Sequence, residues 1–308
     1  MKKLKFITKI LHNPFLKEDP HGSLHMPIYE NVAFEFKTSE EIELAFQRKK
    51  PAHMYSRISN PTVEAFEQRI RAVTDAAGVV ALSSGMAAIT NVIMSIAVQG
   101  DNIVTTKKLF GNTYSLFTYT LREWGLEARF TDLTKTDQIK KLIDGRTRAI
   151  FFETITNPQL EVVDIQAIAE VAKAKNVLVI ADTTLTPPCT FRSAEFGVGV
   201  EVLSSTKYIS GGATSVGGII IDNGTFDWGA IPKFKEELIY SAREYKPNLL
   251  CQYLYELAQK FNSFYNSVPV LTANNPKDRL FRLKVVESVS QILKNGLALL
   301  GVAVVEEM

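Results

Sequence analysis

The chain has 308 residues, of which 46% are hydrophobic and 22% are charged. This length and composition are typical of a folded protein with one large or two ordinary domains, and they exclude a disordered chain. The formal net charge of +2 gives no general attraction to nucleic acid or to an anionic membrane.

Residues 1–60 are predicted to form an extended, irregular N-terminal arm, because prolines are spread along it from Pro14 to Pro61. Such an arm rarely folds alone and more often wraps a neighbouring domain or subunit.

From residue 61 to residue 233, helices of ten or so residues alternate with short apolar strands. The predicted helices are Thr62–Thr74, Met86–Val98, Thr113–Trp124, Thr136–Ile143 and Ile165–Lys175. The predicted strands are Gly78–Ser83, Asn102–Thr105, Glu127–Phe130, Ala149–Glu153, Val177–Ala181, Glu201–Ser204 and Gly217–Ile221. This alternation predicts an α/β domain with a mainly parallel sheet and helices on both faces.

After Lys233 only helices are predicted. Apolar residues recur at three- and four-residue steps from Leu250 to Tyr265, and a second amphipathic helix is predicted over Asp278–Leu293, with Leu283 among its inward residues. We therefore predict a domain boundary at 233–240 and a small all-helical segment over 236–308.

The two cysteines, Cys189 and Cys251, have no paired spacing, which favours two buried thiols in a reducing compartment. No secretory signal pattern and no long apolar run is found, so we expect a cytoplasmic protein with no membrane contact.

Lys207 lies directly after a predicted buried strand, in Ser204-Ser205-Thr206-Lys207-Tyr208. A phosphate-binding P-loop is excluded because its glycines precede the lysine and a Ser or Thr follows it. A solvated surface lysine is the ordinary alternative, but the apolar Val202 and Leu203 favour burial. A buried lysine beside a cationic cofactor is favoured in the uncharged form that imine formation requires.

Two further groups are predicted at strand ends. Asp182 follows Val177–Ala181, where a carboxylate can pair with a pyridinium nitrogen or simply cap the next loop. Ser84-Gly85-Met86 joins a strand to a helix, so its N–H groups and the helix dipole suit a phosphate ester. Each signal is weak alone, and the order of anion turn, carboxylate and lysine gives them weight.

Residues 27–233 resemble the Cys/Met-metabolism family of enzymes that use pyridoxal 5'-phosphate (PLP), a fold-type-I group containing cystathionine synthases and lyases, methionine γ-lyase and O-acetylhomoserine sulfhydrylase. The matching blocks occur in the family's order: Pro27-Ile28-Tyr29, Tyr55 to Thr62, Ser83 to Ala88, Asn157-Pro158, Asp164-Ile165, Ala181 to Thr184 and Ser204 to Tyr208. Leu109 to Tyr114 and Asn223 to Trp228 are most similar to the sulfhydrylase branch. The resemblance implies PLP as cofactor and no metal.

The resemblance also implies residue roles. Lys207 would hold PLP as a Schiff base and act as the catalytic residue, while Asp182 would bind the ring nitrogen and Asn157 the ring hydroxyl. Tyr55 and Arg57 would reach the PLP phosphate of a partner subunit, which implies a homodimer or homotetramer. The full cofactor-binding set is Tyr55, Arg57, Gly85, Met86, Phe110, Asn157, Asp182, Thr184, Ser204, Thr206 and Lys207.

Two departures from the family pattern stand out. Phe110 occupies a position where the family usually has Tyr, so ring stacking is kept and the hydroxyl that assists proton transfer is lost. The resemblance also stops near residue 233, whereas the family continues into a smaller domain that supplies the arginine for the substrate carboxylate.

Residues 236–308, especially Gln252 to Tyr265, resemble the end of the anticodon-binding (DALR) domain of arginyl-tRNA synthetase. Ordinary helix core is the alternative explanation for the aromatic residues there. Residues 234–308 hold nine Lys and Arg and eight Asp and Glu, so no basic surface for tRNA is indicated.

These observations predict a PLP-dependent transsulfuration-type enzyme that performs γ-replacement on O-acetylhomoserine with sulfide or a thiol, impaired by loss of the small domain. One alternative is a γ-lyase of the same family. The other is a non-catalytic tRNA-binding or interaction protein that acts through its C-terminal helices.

Overall fold

The computed structural model describes residues 5–11, 21–23, 25–47 and 49–228, with isolated positions between 279 and 293. The chain divides into two compact units, Met1–Lys235 and Glu236–Met308. The predicted helix over 250–265 lies outside the described residues. Within the predicted helix Asp278–Leu293 the described positions are helical, but Leu283 is 38% exposed, so its predicted inward position was wrong.

The N-terminal arm contains two helices, α1 (Phe6–Leu11) and α2 (Ser39–Phe46), so the prediction of an irregular arm was wrong at these two places. Helix α2 begins at a capping motif. The Thr38 hydroxyl accepts the N–H of Glu41 at 3.2 Å, and the Glu41 carboxylate accepts the N–H of Lys37 at 3.1 Å. A threonine followed three residues later by glutamate is a helix-start signal, which the prediction did not use.

The rest of the first unit follows the predicted alternation with shifts of one or two residues at most boundaries. The helices are α3 (Pro61–Thr74), α4 (Gly85–Ile96), α5 (Gly111–Ser115), α6 (Leu121–Glu123), α7 (Thr136–Leu142) and α8 (Ile165–Ala174). The strands are β1 (Gly78–Leu82), β2 (Asn102–Thr105), β3 (Glu127–Phe130), β4 (Thr147–Glu153), β5 (Leu178–Asp182), β6 (Val200–Leu203) and β7 (Gly218–Asp222). A short 3-10 helix spans Ser193–Phe196.

The seven strands form one sheet in the order β1-β7-β6-β5-β4-β2-β3. Strands β2 to β6 run parallel to one another, and β7 is antiparallel to both β6 and β1. The mainly parallel sheet is therefore confirmed. Because parallel strands share a direction, the residues after β4, β5 and β6 emerge at the same edge of the sheet.

Helices cover both faces of this sheet, as predicted. Ile150 and Phe152 of β4 are fully buried in a cluster with Ile139 of α7 and Ile168 of α8. Phe151 points to the other face, where its ring meets the Phe117 ring edge-on at a centroid distance of 4.9 Å. Alternate residues of a strand point to opposite faces, so these contacts place helical segments on both sides.

Two local predictions were wrong. The helix predicted over Thr113–Trp124 is interrupted by a π-helical segment at Leu116–Thr120, because i→i+5 bonding leaves no clear mark on apolar periodicity. Cys189, predicted to be buried, is exposed.

Among the described residues, no helix is long and apolar enough to cross a membrane.

A buried glutamate ties α3 to the edge strand β1. Glu67 is only 6% exposed, and its Oε1 accepts the N–H of Ala81 at 2.7 Å. Among the described strands, β1 pairs with β7 alone, so this carboxylate satisfies a donor on the other side of β1. Burial raises the pKa of Glu67 to about 7, with a smaller contribution from Glu64.

We predict that Glu67→Gln flattens the pH dependence of stability. Glu67 takes up a proton on folding between its ordinary pKa and about 7, so its contribution is present at low pH and is lost as the pH rises through that window. The neutral amide avoids this loss. At pH 8 the variant should be more stable than the wild type by about 1–3 kcal/mol.

Urea unfolding at pH 5 and pH 8, followed by tryptophan fluorescence, measures this. Both tryptophans, Trp124 and Trp228, lie in the first unit. The exposed Glu123 supplies the control, since Glu123→Gln should keep the wild-type change in unfolding free energy between pH 5 and pH 8. The same change in unfolding free energy with pH for Glu67→Gln and wild type would contradict the proton uptake by Glu67 on folding.

Candidate functional site

The turn between β1 and α4 is built as an anion site. Ser84 caps α4, and its hydroxyl accepts the N–H of Ala87 at 3.0 Å. The first N–H groups of a helix have no acceptor within it, so those of Gly85 and Met86 are available at the positive end of a 12-residue helix. An anion placed there meets several donors at once.

Two glycines bring three chain segments together at this turn. A Cβ on Gly85 would lie 2.8 Å from the Cβ of Ser204, which follows β6. A Cβ on Gly218, the first residue of β7, would lie 1.9 Å from the carbonyl oxygen of Ser84. Only glycine permits these approaches, so the anion turn and the lysine-bearing loop are packed backbone against backbone.

The lysine-bearing loop is fixed by its own hydrogen bonds. The Thr206 hydroxyl donates to the Gly217 carbonyl at 3.2 Å and accepts the Gly217 N–H at 3.0 Å. The N–H of Lys207 donates to the Ser204 carbonyl at 3.2 Å. Lys207 itself is exposed in this single chain, so its predicted burial was wrong. The buried run ends at Leu203, the last residue of β6, and the lysine lies beyond the sheet edge.

Asp182 is the last residue of β5 and begins a hydrogen-bonded series that reaches the next strand. Its Oδ1 accepts the N–H of Thr184 at 2.9 Å, and the Thr184 hydroxyl accepts the N–H of Ser204 at 2.9 Å. Burial raises the pKa of Asp182, and the bonds from Thr184 oppose that rise. A cation beside this carboxylate would favour its charged form.

Glu153, at the end of β4, was missed by the sequence prediction. It is 5% exposed and lies opposite Asp182 in the β4–β5 pairing. The N–H of Phe110 donates to its Oε1 at 2.5 Å, and the N–H of Asn157 donates to its Oε2 at 3.0 Å. Burial, aided by the Asp182 charge, raises the pKa of Glu153 to about 7. The rule that singled out Asp182, a carboxylate closing an apolar strand, applies equally to Glu153.

The arm residues Tyr55 and Arg57 lie close to each other. The Arg57 guanidinium lies 5.2 Å from the centre of the Tyr55 ring, and both residues are exposed. Asn60 anchors this stretch: its side chain accepts the N–H of Thr62 at 2.9 Å and donates to the Tyr29 carbonyl at 3.0 Å. Within the described part of the chain, no hydrogen bond joins Tyr55 or Arg57 to the strand-end residues.

The strand ends therefore combine an anion turn, a carboxylate and an amine within one edge, next to the half-exposed ring of Phe110. These groups suit a ligand that carries a phosphate, a basic ring nitrogen and a carbonyl carbon. That is the set of functions that PLP has.

Two family models match the chain. The model described as Cys/Met metabolism PLP-dependent enzyme matches residues 7–249, and the DALR anticodon binding domain matches residues 229–308. The two matches overlap over residues 229–249, around the predicted boundary.

Individual relatives agree with the first match. An O-acetyl-L-homoserine sulfhydrylase from Corynebacterium glutamicum is 38% identical over 72% of this chain and 51% of its own length. An L-methionine gamma-lyase from Fusobacterium nucleatum is 34% identical over 72% of this chain and 56% of its own length. The chain thus spans about half the length of these relatives.

A solved structure extends the likeness to the fold. A Campylobacter jejuni protein, determined with N'-pyridoxyl-lysine-5'-monophosphate, has a TM-score of 0.69 at 29% identity over 91% of this chain and 82% of its own.

We predict that Gly218→Ala disrupts the site. The added Cβ would fall 1.9 Å from the Ser84 carbonyl oxygen, which is backbone and cannot give way as a flexible side chain would. The turn must shift, at a cost of about 3 kcal/mol or more in unfolding free energy. Saturable PLP binding should be lost with it.

The matched control is Gly145→Ala, because a Cβ on Gly145, in the loop before β4, meets nothing within 4 Å. Urea unfolding and PLP titration of both variants measure the two effects. Gly218→Ala with wild-type stability and PLP affinity would show that the close approach does not hold the turn.

Proposed function

Because this chain belongs to the Cys/Met metabolism family of PLP-dependent enzymes, we propose that it carries out γ-replacement on O-acetylhomoserine with sulfide or a thiol. The observation that carries the proposal is the strand-end set of anion turn, Asp182 and Lys207. The sulfhydrylase and the γ-lyase that are similar to this chain supply the substrate class.

The residues fit PLP part by part. The Ser84-Gly85-Met86 turn, with the Ser204 and Thr206 hydroxyls, would hold the phosphate. Asp182, fixed by Thr184, would pair with the protonated ring nitrogen. That positive charge would lower the raised pKa of Asp182 towards its ordinary range. Asn157 would bind the ring hydroxyl, Phe110 would stack on the ring, and Lys207 would bind the aldehyde carbon.

When bound, PLP acts as an electron sink that makes the Cα–H bond of the substrate acidic. The Lys207 Nζ would be the base that takes and returns that proton. Phe110 has no hydroxyl, so it can orient the ring but cannot move a proton. Lys207 would therefore transfer the protons at both Cα and Cβ of the substrate.

Activity tests the proposal. We expect the 308-residue chain to form homocysteine from O-acetylhomoserine and sulfide, but far more slowly than a full-length sulfhydrylase. The resemblance implies that the arginine for the substrate carboxylate belongs to a smaller domain beyond residue 233, and losing such a charge-assisted pair costs about 1.5–3 kcal/mol. Misorientation of the substrate adds on the order of a hundredfold.

Steady-state homocysteine formation is compared with that of the Corynebacterium sulfhydrylase, with Lys207→Ala as the inactive control. Release of a 2-oxo acid without sulfide would instead favour the γ-lyase alternative, which the Fusobacterium relative supports. Turnover equal to that of the full-length enzyme would contradict the expected impairment.

We also propose that the functional form is a homodimer or homotetramer. Tyr55 and Arg57 are exposed on the arm and are tied to each other rather than to the strand-end residues of their own chain. A partner subunit's cofactor phosphate is therefore the expected ligand of this pair. Sedimentation velocity of the PLP-loaded protein should give a dimer or larger species, and a monomer at micromolar concentration would contradict it.

The DALR match supports a second candidate function, a tRNA or protein contact made by residues 236–308. We propose the matching division of the chain into an arm (1–60), a PLP-binding domain (61–233) and a helical segment (236–308). Positive and negative side chains are balanced over 236–308, whereas a tRNA-binding surface has an excess of positive charge, so we place tRNA binding second to the enzymatic function. A gel shift with tRNA separates the two functions, and limited proteolysis near 233–240 tests the division.

A further inference from the structure

One buried carboxylate holds both loops that approach the proposed cofactor ring. We propose that Glu153 is a positioning residue, which sets the distance between Phe110 on one loop and Asn157 on the other and so shapes the slot for the ring. This rests on the proposed roles of Phe110 and Asn157, and it assigns to Glu153 a part that does not require contact with the cofactor.

The geometry of Glu153 suits this part. It is the last residue of β4 and pairs with Asp182 of β5, so its backbone is fixed against the neighbouring strand. Its two oxygens are divided between the loops: Oε1 accepts the Phe110 N–H at 2.5 Å and Oε2 accepts the Asn157 N–H at 3.0 Å. One side chain therefore fixes two backbone positions against the central sheet.

Among the residues that the structure describes, no other buried side chain is seen to bond to the backbone of both loops. Phe110 is the cap residue of α5, and its own side chain makes no capping bond there. The Asn157 loop is closed at its base, since the Thr156 N–H donates to the Glu161 carbonyl at 3.0 Å and the Glu161 N–H donates to the Thr156 hydroxyl at 2.9 Å. Glu153 sets where this closed loop lies relative to Phe110.

A second link between the same loops provides a comparison. Lys108 and Glu161 form an ion pair, but their side chains are 48% and 46% exposed. Exposed pairs of this kind contribute little, because water and salt screen them. The buried Glu153 bonds, in contrast, leave two unsatisfied backbone donors if the carboxylate is lost.

The charge of Glu153 matters because an ionised carboxylate accepts at both oxygens. A glutamine accepts at one oxygen only and presents an NH₂ donor to the other N–H. Glu153→Gln therefore keeps the size of the side chain and releases one loop. The experiment is run at pH 8, above the pKa of about 7 that burial gives Glu153.

Four proteins are compared: wild type, Glu153→Gln, Glu161→Gln and Glu67→Gln. Glu161→Gln breaks the exposed link between the same two loops, and Glu67→Gln alters a buried glutamate that accepts one backbone N–H away from the site. For each we measure PLP affinity by titration, the visible absorption maximum of bound PLP, and the melting temperature of the cofactor-free protein.

Glu153→Gln should bind PLP on the order of tenfold more weakly, with a shifted absorption maximum. The two controls should stay within about twofold of wild type. Glu153→Gln that alters only the melting temperature, with wild-type affinity and spectrum, would overturn the proposal. If that variant does not fold, Glu153→Asp takes its place: its shorter side chain cannot reach both N–H groups, and wild-type affinity there would overturn the proposal equally. A wild-type protein without saturable PLP binding would instead refute the proposed function.

Discussion

The close approach of Gly218 to Ser84 and Gly85 is the constraint on which the rest of the site depends. It brings the first residue of the antiparallel strand β7 against the turn that begins α4, and Gly85 in turn lies against Ser204. No side chain separates these three segments, so the anion turn and the lysine-bearing loop cannot move independently. Backbone packing thus fixes the two segments that the proposed function assigns to the cofactor phosphate and to its attachment point.

The polar contacts extend this rigid arrangement along the sheet edge. Thr184 joins the end of β5 to Ser204 beyond β6, and Glu153 joins the end of β4 to the Phe110 and Asn157 loops. Glu153 and Asp182 are neighbours in the pairing and burial raises the pKa of both, and the charge of Asp182 also opposes the ionisation of Glu153. A cationic ring nitrogen next to Asp182 would relieve that opposition, which links cofactor binding to the charge state of the whole edge.

The sequence predicted the sheet and the order of its elements because short apolar strands and amphipathic helices leave a clear periodicity. It predicted Asp182 and Lys207 from their places after such strands. Glu153 also ends an apolar strand, so the same rule could have identified it, but its bonds to backbone N–H groups on distant loops leave no residue signature. The exposure of Lys207 and the π segment at Leu116–Thr120 escaped for a related reason, since both depend on where a strand or helix bond pattern stops rather than on residue type.

The central claim is that Lys207 carries PLP in this chain, even though the chain spans about half the length of its relatives. Borohydride reduction of the PLP-loaded protein, followed by peptide mapping, tests it most directly. The account predicts a pyridoxyl group on the peptide containing Lys207 and none after Lys207→Ala. A pyridoxyl group on another lysine, or labelling unchanged by Lys207→Ala, would contradict it.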